Sequence, residues 1–319
     1  MPDGRLEATQ NSTGLLTISR ITLIEMTNDW IAHPIASAVL PTDARPVTVI
    51  RSPSSARLST IKKLIELAHY RDLLYTLTVH RIKVRYKQSI LGMSWAIIQP
   101  VSMTIAFTAV FSLIARMPSG GRPYAVFAYV ALLPWNFFSS SVTNATGGIV
   151  SHSQLITKVY FPREILPITY VLAALVDFLI ASSVLAALMV FYRIPLSAQI
   201  VWVLPIILVL TAFSLSIALL FSATQVRVRD IGMAMPLLLQ LWMLATPIVY
   251  PLSAVPERLR YVYMLNPLVA IVENFRRVIL YASTPDFASL GTSALISIIL
   301  LFASYFYFKR VEVTMADII

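Results

Sequence analysis

Residues 81–100, RIKVRYKQSILGMSWAIIQP, constrain this chain more than any other stretch. Arg81, Lys83, Arg85 and Lys87 alternate with Ile82, Val84 and Tyr86, and residues 88–115 then pass without a charged side chain until Arg116. That uncharged run exceeds the ~20 apolar residues a helix needs to cross a bilayer. A cationic collar therefore leads straight into a membrane span. Lys and Arg beside a span hold that end on the cytoplasmic side, where anionic lipid also attracts them. Composition agrees: of 319 residues, 57% are hydrophobic and only 13% charged, against about 25% charged in soluble domains. The formal net charge of +10 thus reads as an orientation signal in a membrane and not as a nucleic-acid surface. With no cysteine in the chain, disulfides, thiolate zinc sites and thiol nucleophiles are excluded. The four histidines are too scattered for metal-ligand spacing.

Along the chain, residues 1–57 differ from the rest. Pro34, Pro41, Pro46 and Pro53 interrupt short patches with no lasting period, which predicts a mostly disordered cytoplasmic tail. Residues 58–89 carry Ile61, Leu64, Ile65, Leu73, Leu74 and Leu77 at helical spacing, with charges on other faces. This predicts an amphipathic helix in the membrane interface. Residues 90–319 form the transmembrane domain, with six spans expected: 90–114, 124–149 (broken at Pro134), 165–191, 201–224, a proline-marked stretch within 230–257, and 290–308. The fold expected is an all-α polytopic membrane protein.

The charges orient these spans. Arg71, the collar, Lys158, Arg163, Arg227, Arg229, Lys309 and Arg310 fall on one side; short loops on the other carry Arg116, Arg122 and Arg193. The bias places both termini in the cytoplasm. The fifth loop departs from it, with Arg258, Arg260, Arg276 and Arg277 outside. Its residues 261–272 are apolar, too short to span and carry Pro267, with Glu273 following. Such a segment is expected to re-enter the membrane as outer gate helices between spans five and six.

Chemistry-bearing residues are few. No lysine follows a glycine, so the phosphate cradle GxxxxGK[ST] is missing and the chain itself should not hydrolyse ATP. Asp177 is the one acid within the spans, where it needs a partner or a water-filled cavity. Gln99, Asn136, Asn144 and Gln240 are expected to join helices through amide hydrogen bonds. The inner loop 151–164, SHSQLITKVYFPRE, is long enough for one short helix that fits a partner's cleft; VRVRD at 226–230, with Arg227, Arg229 and Asp230, is a second cytoplasmic contact. Trp95, Trp135, Phe138 and Tyr250 are candidate channel aromatics, whose faces let the apolar faces of sugar rings slide.

Five separated blocks carry a family resemblance: IKVRYKQSILGMSWAIIQP, LITKVYFPREILPI, VRVRDIGMAMPLLLQLWMLATPIVYP, LNPLVAIVENFRRVIL and FKRVEVTMADII. Together they resemble the permease subunits of ABC-2 type polysaccharide exporters, those of lipopolysaccharide O-antigen and capsule above all, with teichoic-acid exporters as relatives. The resemblance runs from about residue 56 to the C-terminus. It departs at Val79-His80-Arg81, where relatives often carry a Trp-Arg-Asp-like sequence, and at Met315, where an aromatic is usual.

The resemblance implies a bacterial cytoplasmic-membrane subunit, present in two copies beside two copies of a separate ATPase that binds ATP and Mg. The pair would pass a lipid-diphosphate-linked polysaccharide outward, with membrane lipids around it and no cofactor of its own. Leu155, Lys158, Val159, Tyr160, Phe161, Pro162 and Arg163 would form the ATPase-coupling loop. Arg258, Pro267, Glu273, Arg276 and Arg277 would belong to the outer gate, and the collar Arg81, Lys83, Arg85 and Lys87 suits phosphate oxygens. Rival readings are an ABC-2 exporter of a drug, peptide or teichoic acid, an ion-coupled secondary transporter hinging on Asp177, and a membrane-embedded transferase, for which no polar catalytic cluster is evident.

Overall fold

A computed structural model describes residues 9–10, 16–17, 70–87, 89, 91–159 and 161–318, and the chain divides into two units, 1–64 and 65–319. In the first unit, β1 (Thr9–Gln10) pairs antiparallel with β2 (Leu16–Thr17). The rest of the tail expected over 1–57, and the expected interface helix over 58–69, lie outside the described residues.

The regular elements of the second unit, among the described residues, are helices joined by short loops. Helix α1 (Arg71–Lys87) carries the collar. A short 3-10 turn leads into α2 (Trp95–Phe107), which relaxes into a π-helical turn over Thr108–Ile114. Then come α3 (Tyr124–Gly148), the short α4 (Ser153–Lys158), α5 (Ile165–Phe191) and α6 (Val203–Arg227). After them follow α7 (Asp230–Leu244), α8 (Glu257–Met264), α9 (Pro267–Leu280) and the long α10 (Phe287–Ile318).

Helix α3 is the axis of the bundle. Helices α2, α5, α6, α7 and α9 all pack on it, and α10 lies along α6 and α9. Its sequence explains the position: its first half is apolar all round and the polar residues of its second half are small, which suits a helix enclosed by protein. Rings fill the layer around it. Phe138 stacks on Phe213 at 5.4 Å and meets Trp242 edge-on at 5.1 Å, while Phe137 meets Phe178 at 5.8 Å. Offset and edge-on pairs of this kind favour one register over its neighbours.

Among the described residues, five helices are long and apolar enough to cross a membrane: Gly92–Ile114, Tyr124–Gly148, Ile165–Phe191, Ala198–Arg227 and Phe287–Met315. This differs from the six expected. Helix α7 has 15 residues and reaches only about 22 Å, short of the ~30 Å hydrocarbon core. Its helix stops ahead of Pro247, whose ring disfavours helical backbone at the residue before it. Pro134, by contrast, lies buried inside an unbroken α3, and Pro236 lies inside α7. Packing on all sides of α3 outweighs the loss of one hydrogen bond at Pro134.

Candidate functional site

The collar docks on α5 through alternate turns of one helical face. Leu74, Thr78, Arg81 and Arg85 fall at i, i+4, i+7 and i+11, so they share a stripe. Arg81 Nε donates to Thr169 Oγ1 at 2.8 Å, and its guanidinium lies 3.5 Å from the centre of the Tyr170 ring. Burial lowers its pKa from the ordinary arginine value. Arg85 forms an ion pair with Asp177, and the Tyr86 hydroxyl donates to the same carboxylate at 2.6 Å. Burial, and next the bond to Asp177, push that hydroxyl up to about 12. Asp177, expected from the sequence to need a partner, thus meets the collar. Lys83 and Lys87 point away and are exposed.

Tyr170 carries this contact to the next segment. Its ring lies against Gly148, where a Cβ would come within 2.1 Å of a ring carbon; only glycine permits that approach. There α3 ends and the loop 151–164 begins. His152 Nδ1 is 2.9 Å from both Gly148 O and Ser151 Oγ. Burial, with Arg81 and His80 nearby, holds His152 below the usual histidine value.

The loop is an ordered element. Helix α4 tucks Ile156 into a small apolar cluster with Phe161, Ile165, Val226, Phe308 and Met315. Arg163 N donates to Glu312 Oε1 at 3.1 Å, and its guanidinium bonds the Glu312 carbonyl. Lys309 Nζ reaches Glu164 Oε2 at 2.7 Å and Glu312 Oε2 at 2.8 Å. Glu164 is 2% exposed; burial raises its pKa, Glu312 adds to that, and Lys309 opposes it. Of the predicted loop residues, Lys158 and Val159 face outward, with Val159 51% exposed. Leu155 and Pro162 are half-buried, Phe161 is buried, and Tyr160 lies outside the described residues. Arg227, Arg229 and Asp230, between α6 and α7, are exposed at the same end.

Sequence alone missed the knot around Lys309. Lys309 and Glu312 stand three apart on a helix, a readable pair, but Glu164 is 145 positions away in the chain.

At the other end of α3, a buried arginine manages the break after α7. Thr246, Pro247, Ile248 and Val249 are buried and not helical. Arg276, 1% exposed on α9, donates to Pro247 O at 2.7 Å and also to Ile248 O and Tyr250 O. Tyr124 donates to Val249 O at 2.6 Å. Irregular backbone at membrane depth survives only under such cover. The guanidinium lies 3.8 Å over the Phe127 ring and pairs with Glu273 at 3.7 Å. Pro267 opens α9 behind the Asn266 cap, as its missing N–H allows. Arg277 and Arg258 are exposed and stand apart from this clamp.

The four candidate aromatics separate. Trp135 and Phe138 are core residues inside the protomer. Tyr250 is half-buried, its hydroxyl donating to Leu244 O and lying 3.3 Å from that of Tyr263. Trp95 is exposed and lines a cavity of about 480 Å³ walled by α1, α2, α3 and α5. Gln99, Asn136 and Asn144 line it too. The expectation that they join helices gives way to a different arrangement: Asn144 donates within its own helix to Ser140 O, and Asn136 Nδ2 is buried without a partner.

These features define a multi-pass membrane protein with an ordered loop at one end and a covered helix break at the other. Comparison with known proteins places it further. Residues 72–280 match the model of the ABC-2 type transporter family. The chain is 30% identical over 251 residues to the O-antigen export system permease protein RfbA of Myxococcus xanthus, covering 78% of this chain and 96% of that one. Its namesake in Klebsiella pneumoniae is 30% identical over 218 residues, or 68% and 83% of the two chains. The polysialic acid transport protein KpsM of Escherichia coli is 26% identical over 249 residues, or 75% and 93%. The chain belongs to the ABC-2 type transporter family.

Proposed function

We propose that this chain is the transmembrane permease of an ABC exporter that carries a lipid-linked polysaccharide out across the bacterial cytoplasmic membrane. The observation that carries this reading is similarity to O-antigen permeases along nearly the full length of a relative. In this reading the collar end is cytoplasmic, both termini lie there, two copies enclose the path, and α7 with α8 and α9 forms the fifth span and the re-entrant outer gate.

Energy comes from a separate ATPase subunit. Its cleft receives α4 and the outward residues Thr157, Lys158 and Val159, exposed on a loop that Lys309 and Phe161 hold rigid. A ligand shifts an equilibrium only by its differential affinity for two states; here ATP distinguishes the open and closed ATPase dimers, and α4 passes the difference to α3 and α5.

The test separates contact from folding. Val159→Asp changes an exposed side chain and should abolish surface polysaccharide while leaving the permease in the membrane at normal level. Phe161→Ala opens the apolar cluster and should lower the amount of permease. Export at the wild-type level in Val159→Asp would remove this face from the coupling role. Unchanged surface polysaccharide after deletion of the gene would overturn the export reading itself.

A further inference from the structure

We infer that the cavity between α1, α2, α3 and α5 is a binding site for a neutral segment of a glycan chain, and not for its phosphates. This rests on the export reading above and adds to it a site and a ligand chemistry. The argument begins with α3. Asn136, Ser140 and Asn144 fall at i, i+4 and i+8, a polar stripe on an otherwise apolar spanning helix. Facing lipid, such a stripe is costly; it belongs on a partner helix or a wet cavity. The stripe lines the cavity. Asn136 lines the cavity while its Nδ2 is buried and unpartnered, and a buried amide donor left unmet is costly. A turn of the amide into the cavity lets a ligand or water accept from it and relieves that cost.

The charges choose the ligand. Among the lining residues only Arg85 and Asp177 are charged, and they pair with each other. Asp177 also accepts from Tyr86. A diphosphate entering here would face a carboxylate, and would have to draw Arg85 from its partner. The site is therefore electroneutral, with amides and hydroxyls to exchange hydrogen bonds with a polyol. Trp95 and Phe137 supply ring faces and edges for the CH faces of a sugar. At about 480 Å³, the space is within the ~300–1,000 Å³ range of small-molecule sites.

The chain has no cysteine, so one introduced thiol reports on the cavity alone. Ser140→Cys, in the purified full-length permease with its ATPase partner, is reacted with a small hydrophilic thiol reagent. Leu179→Cys, at an exposed apolar position of α5, is the lipid-facing reference. The expected result is labelling of Ser140→Cys at least about tenfold faster than the reference, slowed at least about threefold by a neutral hexasaccharide of glucose or mannose and unaffected by inorganic pyrophosphate. Labelling as slow as the reference means a dry cavity and overturns the proposal. Protection by pyrophosphate, or by neither probe, overturns it as well. In cells, Ser140→Phe fills the cavity and should abolish surface glycan while the permease still co-purifies with its ATPase. If that variant exports normally, the site is wrong and the export reading stands; if gene deletion leaves the glycan unchanged, the export reading fails.

Discussion

Arg276 shows how much one side chain can decide. It supplies donors to carbonyls along 247–250, stacks on Phe127 and is enclosed by protein. Lysine offers a charge but no planar fork. Arg276→Lys should therefore destabilise the purified permease by about 3 kcal/mol, seen as a clear fall in the temperature at which it leaves solution. Glu273→Gln should cost less than Arg276→Lys, because Arg276 keeps its bonds to the carbonyls of Pro247 and Ile248 and its contact with Glu273 is long. Equal losses in the two variants would contradict the clamp. His152 gives a pH dependence. Its pKa in the folded chain lies below the ordinary 6.5, so the unfolded chain takes up the proton first. Its contribution to stability is whole above about 6.5 and lost as pH falls below it. Thermal stability measured at about pH 7.5 and about pH 5.5 should drop less in His152→Gln than in the wild type; the same drop in both would remove His152 as a cause. Neither role could be read from the sequence. Arg276 stood there as one of four arginines in the fifth loop, but its acceptors are backbone carbonyls some 26–29 positions earlier, and backbone carbonyls leave no compositional trace.

At the scale of elements, the loop between α3 and α5 and the end of α10 behave as one piece. Lys309 bridges two carboxylates there, one of them buried. Lys309→Met leaves Glu164 charged and unpaired in an apolar setting, at a cost of about 3 kcal/mol or more. Lys309→Met with Glu164→Leu should recover a large part of that loss, since removing both partners can be nearly neutral. A double variant less stable than the single one would show that Glu164 has another essential role. Element types were largely legible: periodicity, apolar runs and flanking charge located α2, α3, α5 and α6 within a few residues, while α10 runs ten residues beyond its expected end at 308. The proline-marked stretch misled. Pro134 and Pro236 sit within intact helices, while the chain leaves helical geometry just before Pro247. Proline marks where a helix can stop, and surrounding packing settles which proline does so.

At the scale of the whole molecule, the membrane class and the transporter family were legible because they are written in bulk composition and in ordered sequence blocks. The cavity was not. Its walls come from residues in α1, α2, α3 and α5, separated by up to about a hundred positions in sequence, and Asn136 and Asn144 looked like interhelical bonds until their neighbours were known. A division of labour between subunits has a direct check. The permease purified alone should show no ATP hydrolysis above background, and its addition to the partner ATPase in vesicles should change that enzyme's rate. Hydrolysis by the permease alone would place the engine in the wrong subunit.

Helix α3 joins the two ends. Gly148 at one terminus receives Tyr170 from the collar side, and Tyr124 and Phe127 at the other hold the carbonyls and the guanidinium of the clamp. The helix is continuous over 25 residues and spans about 37 Å. A continuous helix of that length can move as one piece, so a shift of its Gly148 end would also shift its Tyr124 end, as through a connecting rod. In the export reading proposed above, a stroke that reached the loop would be felt at the far mouth too, and the exit would not be timed independently of the motor.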